Sequence, residues 1–201
     1  MATKTENYGW QHGGPHTSAY LADRVETILC DLGAQTVLDA GCGNGALAGH
    51  LSRQGFTVTG VDGDPGGIAI ARQNYSEVLF ELSLFEDTSP GTFDAVVSTE
   101  VIEHLYSPHE LVRFAYAALE NGGHLVISTP YHGYLKNLAL AITGKWDAHH
   151  TALWHGGHIK FWSRKTLTKL LFDNGFEVID FVGAGRLPYL WKSMILVARK
   201  V

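Results

Sequence analysis

Two carboxylates and an imidazole lie close together near the middle of the chain, in the stretch TEVIEHL. Glu100, Glu103 and His104 stand at positions i, i+3 and i+4, which share one face of a helical turn. Such a face can hold a divalent cation, because carboxylates and imidazoles are both metal ligands. The alternative is that the glutamates are solvated and His104 caps the turn. The residues themselves leave both possibilities open.

A run of glycines marks a second candidate site, in TVLDAGCGNGALAGHL. The apolar run 36–40 is typical of a buried strand, and Gly41, Gly43 and Gly45 follow at alternate positions. A helical pattern begins directly behind them. A strand, a glycine turn and a helix can bring backbone N–H groups and a helix N-terminus to a small polar ligand, and glycine permits the close approach.

Acidic residues beside this loop narrow the choice of ligand. Asp39 ends the first strand, where its carboxylate can order the loop and accept from a ligand ammonium. Asp62 ends the next strand, 17 residues beyond Gly45, where it can accept from both hydroxyls of a ribose. The glycines also fit the loose dinucleotide pattern, so a nicotinamide-dependent oxidoreductase is one alternative.

The elements that must position these residues alternate along the chain. Strand-like runs lie at 36–40, 57–61, 78–82, 93–98 and 123–129, and helical patterns lie at 17–32, 45–54, 65–74, 108–120 and from about 163. This alternation predicts right-handed βαβ units and a parallel sheet. Two last runs, 176–182 and 193–199, are separated by a short turn and must pair antiparallel. We expect one α/β domain over 1–201, with a Rossmann-like, seven-stranded, mostly parallel sheet, helices on both faces and a C-terminal hairpin.

The glycine stretch resembles motif I of class I S-adenosylmethionine (SAM) methyltransferases, which implies SAM as the cofactor. The Phe-Asp pair that opens the fourth strand is typical of this family and would deliver Ser98 and Thr99 to the cofactor's amino-acid end. Many members have an aspartate facing the adenine where this chain has Ser83, followed by Leu84. The implied cofactor contacts are Asp39, Gly41, Cys42, Gly43, Gly45, Asp62, Gly63, Ser83, Leu84, Ser98 and Thr99.

The middle of the chain resembles the ubiquinone-biosynthesis O-methyltransferases. The resemblance lies in EVIEHL, the helix that follows it, and then NGGHLVIST. The Glu-x-x-Glu-His element is also seen in small-RNA 2′-O-methyltransferases, where a later histidine before a Phe and a helix completes a metal site. GGHIKFWSRKTL has that form, so His158 is the matching residue and His155 the second choice. The resemblance implies one divalent cation (Mn, Fe, Co, Zn or Mg) on Glu100, Glu103, His104 and His158. The implied catalytic residues are His104, Glu103 and His158.

The resemblance implies O-methylation of a small molecule with adjacent oxygens, such as a catechol or vicinal diol, with the cation lowering the pKa of the hydroxyl. A catalytically silent SAM-binding partner subunit is a second alternative. Residues 131–162 are too long for a plain connection, and we predict an acceptor-site lid there. Leu135, Leu138 and Ile142 would form its pocket-facing side. Peripheral membrane contact through 134–146, or ordinary core packing, are the competing interpretations.

Composition limits the remaining possibilities. The net charge of −5 argues against broad nucleic-acid binding, which needs a basic face. Cys42 falls inside the glycine loop and Cys30 in a predicted helix, which argues against a disulfide framework. The first residues carry no apolar signal core, so we expect a cytoplasmic protein. The sequence makes no prediction about oligomeric state.

Overall fold

The computed structural model describes residues 18–85, 91–150, 153 and 156–201. Its helices are Ser18–Asp31 (α1), Ala46–Arg53 (α2), Pro65–Asn74 (α3), Pro108–Ala118 (α4), Tyr134–Ile142 (α5), Trp146–His150 (α6) and Arg164–Phe172 (α7). Its strands are Thr36–Ala40 (β1), Thr57–Asp62 (β2), Leu79–Leu82 (β3), Phe93–Thr99 (β4), Leu119–Pro130 (β5), Phe176–Ala184 (β6) and Ser193–Lys200 (β7). A 3₁₀ turn, Ile102–His104, follows β4.

All seven strands form one sheet in the order β3-β2-β1-β4-β5-β7-β6. The first five strands are parallel to one another, and β7 is antiparallel to both β5 and β6. The predicted mostly parallel sheet with an antiparallel C-terminal pair is therefore confirmed. β2 and β3 lie on one side of β1, whereas β4 and the later strands lie on its other side, so the strand order reverses between β1 and β4. Ligands of open α/β sheets bind at such a switch point, beyond the carboxyl ends of the strands.

Helices cover both faces of the sheet because successive strand residues point to opposite sides. Val37 of β1 packs with residues of α1, α2 and α3, whereas the next residue, Leu38, packs with residues of α4 and α7. Both side chains are fully buried. The two cores hold the carboxyl ends of β1 and β4 in fixed positions. Within the described part of the chain, no helix combines the length and apolarity needed to cross a membrane.

Local sequence signals account for where the elements begin. Asp64 caps α3, because its side chain accepts from the N–H of Gly66 at 2.9 Å and a proline follows at the first helical position. Ser163 caps α7 through a reciprocal pair of hydrogen bonds with Thr166. Both caps fix the direction in which a helix leaves the sheet.

Candidate functional site

The glycine loop joins β1 to α2 in a left-handed path. Gly41, Gly43 and Gly45 have φ angles of 88°, 53° and 78°, which side chains would make costly. The N–H groups of Gly41 and Cys42 both donate to the Val61 carbonyl, at 2.8 and 3.0 Å. These N–H groups thus tie the loop to β2, whereas the sequence suggests that they face a ligand.

The glycines also allow the loop to pack closely against its neighbours. A Cβ on Gly41 would collide with the Val101 side chain, and one on Gly45 would lie 2.7 Å from Phe80 and 2.8 Å from Ala71. The first contact places the loop against the segment that carries the Glu-Glu-His element. The two candidate sites found in the sequence are therefore adjacent in the structure.

Asp39 supplies a buried carboxyl group beneath the loop. Its side chain is 1% exposed, and among the described residues neither carboxyl oxygen has a hydrogen-bond partner. Burial raises its pKa to about 7, and the nearby Asp62 adds to the increase. A buried carboxyl without a donor is costly, so this group fits a ligand that brings a positive charge or an N–H donor.

Asp62 lies at the end of β2 and is oriented by the backbone. Its Oδ2 accepts from the N–H of Gly43 and its Oδ1 from the N–H of Asp64, both at 2.8 Å. Burial raises its pKa, while these two hydrogen bonds act in the opposite direction. Each carboxylate oxygen has a further lone pair, so the residue can still accept from ligand hydroxyls.

The end of β3 completes this side of the loop. The Ser83 N–H donates to the Asp62 carbonyl at 3.0 Å, and the Ser83 hydroxyl donates to the carbonyl of Leu84 at 3.2 Å. The Leu84 side chain lies over Gly63, where a Cβ would collide with it. The structure therefore brings Gly63, Ser83 and Leu84 together beside Asp62.

Ser98 has a different environment from the one the sequence suggests. It is fully buried, and its hydroxyl donates to the Ala40 carbonyl at 2.8 Å. The side chain therefore joins β4 to β1 and has no exposed surface for a direct cofactor contact. Thr99, the last residue of β4, is half-buried at the strand end.

Glu103 is the central residue of the second site. It is 1% exposed, and its Oε2 accepts from the Thr129 hydroxyl at 3.0 Å. Its Oε1 has no hydrogen-bond partner among the described residues but lies 3.9 Å from His104 Nε2 and 4.0 Å from His158 Nε2. Burial raises the pKa of Glu103 well above its ordinary value, and Glu100 adds to the increase.

His158 reaches this site because its segment is bound to the 3₁₀ turn. The N–H groups of Ile159 and Lys160 both donate to the Glu103 carbonyl, at 2.9 and 3.0 Å. His104 Nδ1 lies 3.3 Å from the Gly157 carbonyl, which can only accept, so this nitrogen carries the proton. The lone pair then lies on Nε2, the nitrogen nearer to Glu103. A carbonyl partner on the other nitrogen is typical of metal-binding histidines.

Both histidines are held in the neutral form that metals bind. Burial lowers the pKa of His104, and burial followed by the neighbouring His104 lowers the pKa of His158 to about 4. One donor atom from each of Glu103, His104 and His158 lies within 4.8 Å of the other two. A cation between them would be about 2.5 Å or less from each, close to the roughly 2.0–2.6 Å of metal–nitrogen and metal–oxygen bonds.

Glu100 does not share a helical face with Glu103 and His104, so that expectation is wrong. The 3₁₀ turn begins only at Ile102, and Glu100 precedes it with a left-handed φ of 55°. Its Oε1 accepts from the Ser128 hydroxyl at 2.8 Å, and it is not among the three converging donors. Burial raises its pKa to about 7. His155, the second choice for the fourth ligand, lies outside the described residues.

The apolar face of α5, which we expected to line an acceptor pocket, is instead exposed. Leu135, Leu138 and Ile142 are 52%, 42% and 75% exposed, so their apolar side faces solvent. The buried residue of this helix is Lys136, at 5% exposed. Helical spacing identifies an apolar face but does not determine which face docks against the rest of the molecule.

A family model described as "Methyltransferase domain" matches residues 14–180. A ubiquinone biosynthesis O-methyltransferase from Bradyrhizobium diazoefficiens is 33% identical over 175 residues, covering 82% of this chain and 67% of that protein. A protein of the same name from Dinoroseobacter shibae is 33% identical over 158 residues, covering 73% of this chain and 62% of its own length. The chain thus spans about two thirds of the length of these curated relatives.

The fold is shared with solved methyltransferases. Magnesium protoporphyrin IX methyltransferase from Synechocystis PCC 6803, solved with bound SAH, superposes with a TM-score of 0.71 at 21% identity, covering 90% of this chain and 82% of that one. At this identity the likeness concerns the fold alone. The family match covers most of the chain and sets aside the nicotinamide-dependent oxidoreductase. The chain belongs to the methyltransferase-domain family and is a SAM-dependent methyltransferase.

Proposed function

We propose that this enzyme methylates a hydroxyl of a small molecule with two adjacent oxygens, beside a divalent cation held by Glu103, His104 and His158. The observation that carries the proposal is the buried, unpartnered Oε1 of Glu103, about 4 Å from two neutral imidazoles. One carboxylate with two histidines suits Mn²⁺, Fe²⁺, Co²⁺ or Zn²⁺, and Mg²⁺ if waters complete its shell. The curated relatives named as O-methyltransferases support the choice of oxygen as the methylated atom.

The cofactor would lie across the carboxyl ends of β1 and β2. The unpartnered Asp39 carboxyl fits the SAM ammonium, and the oriented Asp62 carboxylate fits the ribose hydroxyls. Ser83 and Leu84 border the space for the adenine, and Thr99 lies toward the amino-acid end. Because Gly41 packs on Val101, the methyl group would sit next to the 3₁₀ turn that carries Glu103.

The reaction is an in-line displacement at the methyl carbon. The acceptor oxygen forms the new C–O bond while the C–S bond breaks, and the sulfonium becomes the neutral thioether of S-adenosylhomocysteine (SAH). A bound cation would lower the pKa of the acceptor hydroxyl. Glu103, His104 and His158 would hold the acceptor oxygen in line, and alignment of this kind can supply several kcal/mol. The hydroxyl proton leaves to solvent, because the imidazole lone pairs of His104 and His158 would be occupied by the cation.

Transfer of labelled methyl groups from SAM to catechol, with and without EDTA, tests the proposal. We expect EDTA to abolish turnover and Mn²⁺ or Zn²⁺ to restore it. The variant His104→Ala should lose turnover at least 100-fold while its SAM dissociation constant changes less than threefold. Glu26→Gln is the matched control, because the half-buried Glu26 lies with Asp23 and His50 in a second group of potential metal ligands, outside the site. EDTA-resistant turnover would refute the role of the cation, and SAM binding with no turnover on any diol would favour the silent partner subunit.

The outward apolar face of α5 supports the membrane interpretation of 134–146 over the lid. Leu135, Leu138 and Ile142 would contact a lipid surface from which an apolar acceptor enters. The segment has two lysines, one of them buried, so attraction to anionic lipid should be weak. Co-sedimentation with neutral liposomes that Leu138→Glu abolishes would support this contact. Co-sedimentation unchanged by that variant would contradict it.

A further inference from the structure

The segment that follows β4 is hydrogen-bonded to both faces of the end of β5. Ser128 and Thr129 are neighbours in β5, and successive residues of a strand point to opposite faces of a sheet. The Ser128 hydroxyl donates to Glu100 Oε1 at 2.8 Å, and the Thr129 hydroxyl donates to Glu103 Oε2 at 3.0 Å. The two glutamates therefore fix the segment 100–103 on opposite sides of one strand.

The backbone of Glu100 is strained in the way that this arrangement requires. In a continued strand, Glu100 would point to the same face as Val96, which packs in the core with α4 and α7. Its left-handed φ of 55° instead turns the side chain to Ser128, which shares a face with Val126 in the core that includes α1. Such a conformation is costly for a residue with a side chain, so it persists only where the surroundings hold it.

A second hydroxyl group, from β7, helps to hold Glu100 there. Ser193 pairs with Pro130, two residues after Ser128, so both serine side chains lie on the same face of the sheet. Burial raises the pKa of Glu100 to about 7, and hydrogen bonds from Ser128 and then Ser193 act in the opposite direction. Both serines are 1% exposed. The Glu100 carboxyl therefore lies between two buried hydroxyl groups.

Tyr20 of α1 completes this chain of hydrogen bonds. Its hydroxyl lies 2.9 Å from the Ser193 hydroxyl, where either group can donate. When Ser193 donates to Glu100, its Oγ accepts from Tyr20, so the donors follow one direction along the chain. Burial raises the pKa of Tyr20 to about 12, and Glu100 adds to the increase, so Tyr20 keeps its proton as a donor. Lys192 Nζ lies 5.0 Å from the centre of the Tyr20 ring and holds the ring by a cation–π attraction.

We propose that Tyr20 is a positioning residue for the cation site. Through Ser193, it holds Glu100 in its left-handed conformation. Glu100 in turn sets the direction in which the chain enters the 3₁₀ turn, and so aims Glu103 and His104 at the cation. This inference rests on the proposed function, because it concerns the same cation. In this arrangement Tyr20 and Glu100 orient the ligands and do not themselves bind the cation.

Cobalt binding to the purified protein tests this inference without turnover. The affinity for Co²⁺, measured by calorimetry, should fall about tenfold in Tyr20→Phe, the scale of losing a group that orients metal ligands. The visible absorption spectrum of bound Co²⁺, which reports its ligand geometry, should also change, whereas SAH affinity should change less than threefold. The phenylalanine keeps the ring beside Lys192, so the variant should fold.

Tyr116→Phe is the matched control. Tyr116 is also half-buried, and its hydroxyl donates to the Val201 carbonyl at 2.9 Å, away from the cation site. Its substitution should change neither the Co²⁺ affinity nor the spectrum. Equal losses of Co²⁺ affinity in Tyr20→Phe and Tyr116→Phe would show a general effect of removing a tyrosine hydroxyl and would overturn the inference.

Variants of the other residues in the chain separate positioning from direct ligation. Ser193→Ala should weaken Co²⁺ binding at least as much as Tyr20→Phe, and combining the two should cause no further loss, because Tyr20 acts through Ser193. Glu100→Gln keeps an oxygen that accepts from Ser128, so it should lose less affinity than Glu100→Ala. A loss in Glu100→Gln as large as that in Glu103→Gln would make Glu100 a ligand and overturn the inference.

The wild-type protein provides the decisive comparison. If wild type and Tyr20→Phe bind Co²⁺ with the same affinity and the same spectrum, Tyr20 does not position the ligands, and the proposed cation site still stands. If the wild type binds no Co²⁺, the cation site and the role of Tyr20 are both overturned.

Discussion

The side chain of Val101 fills the space that a Cβ atom on Gly41 would need. Gly41 also has a left-handed φ of 88°, so a side chain there faces two separate penalties. Gly33 has a similar φ of 70° but open space where its Cβ would be. Comparing alanine substitutions at Gly41 and Gly33 therefore separates the cost of backbone strain from the cost of the collision with Val101.

Gly41→Ala should lower the free energy of unfolding more than Gly33→Ala. We expect about 1 kcal/mol for the left-handed backbone in both, plus roughly 1–3 kcal/mol for the collision in Gly41→Ala. Urea unfolding of both variants gives the comparison. Adding Val101→Ala should recover part of the loss at Gly41 and nothing at Gly33. Equal losses in the two single variants would show that the contact with Val101 carries no strain.

Asp39 should make the stability of the ligand-free protein depend on pH. Its pKa is about 7 when folded and roughly 3.9 when unfolded, so between these values the folded state binds more protons. The free energy of unfolding should therefore fall as pH rises from about 4 to 7, by up to about 1.4 kcal/mol per unit of pKa difference.

Asp39→Asn should reduce this pH dependence, which urea unfolding at pH 5 and pH 8 would measure. Asp94 provides the control, because hydrogen bonds from Thr36 and Gln35 lower its pKa. Its contribution to stability is lost only at pH values below its unfolded pKa of roughly 3.9, so Asp94→Asn should change stability equally at pH 5 and pH 8. If the free energy of unfolding changes as much between pH 5 and pH 8 in Asp39→Asn as in the wild type, the raised pKa of Asp39 is contradicted.

Asp62→Ala should weaken SAM binding by about 1–3 kcal/mol, the scale of hydrogen bonds to a charged group. Calorimetric titration with SAM measures the loss directly. Asp64→Ala is the comparison: it removes the α3 cap and should cost about 1 kcal/mol of stability with little effect on SAM affinity. Equal SAM affinity in the wild type and Asp62→Ala would exclude the ribose contact.

A divalent cation should stabilise the folded protein in the absence of any acceptor. At a concentration 100 times its dissociation constant, a ligand of the native state adds about 2.7 kcal/mol. Thermal unfolding with Mn²⁺ or Zn²⁺ should show an increase in Tm in the wild type and in Glu26→Gln. Glu103→Gln should lose this increase, because the amide has no negative charge to offer. A rise in Tm that persists in Glu103→Gln would place the cation elsewhere.

Local patterns predict the central strands well because their environment is uniform. The predicted strand 36–40 matches β1 residue for residue, since both faces of a central parallel strand are buried and Val37 and Leu38 are β-forming apolar residues. The start of β5 is different. Its pattern predicts 123–129, but the strand begins at Leu119, which pairs with Phe93 across a register shift. This pairing depends on a distant strand and leaves no local signal.

For the site residues too, the sequence identifies candidates, but their positions depend on contacts that are distant in the chain. His158 could be proposed from family resemblance, but its delivery depends on hydrogen bonds between Glu103 and a segment more than 50 residues later. The displacement of Glu100 from the helical face depends on its left-handed φ, which its spacing from His104 does not reveal. The burial of Lys136 was also missed, because hydrophobic periodicity predicts that the leucines of α5 face inward.

The strand order has a consequence for synthesis on the ribosome. β6 has one neighbour in the sheet, β7, and β7 lies inside the sheet between β5 and β6. When β6 emerges, the strand it must pair with has not yet been made, and the outer edge of β5 is still open. Open edges invite pairing with other chains. During synthesis, a five-stranded parallel sheet therefore has an unpaired edge at β5 for some time. That edge is covered only when β7 pairs between β5 and β6.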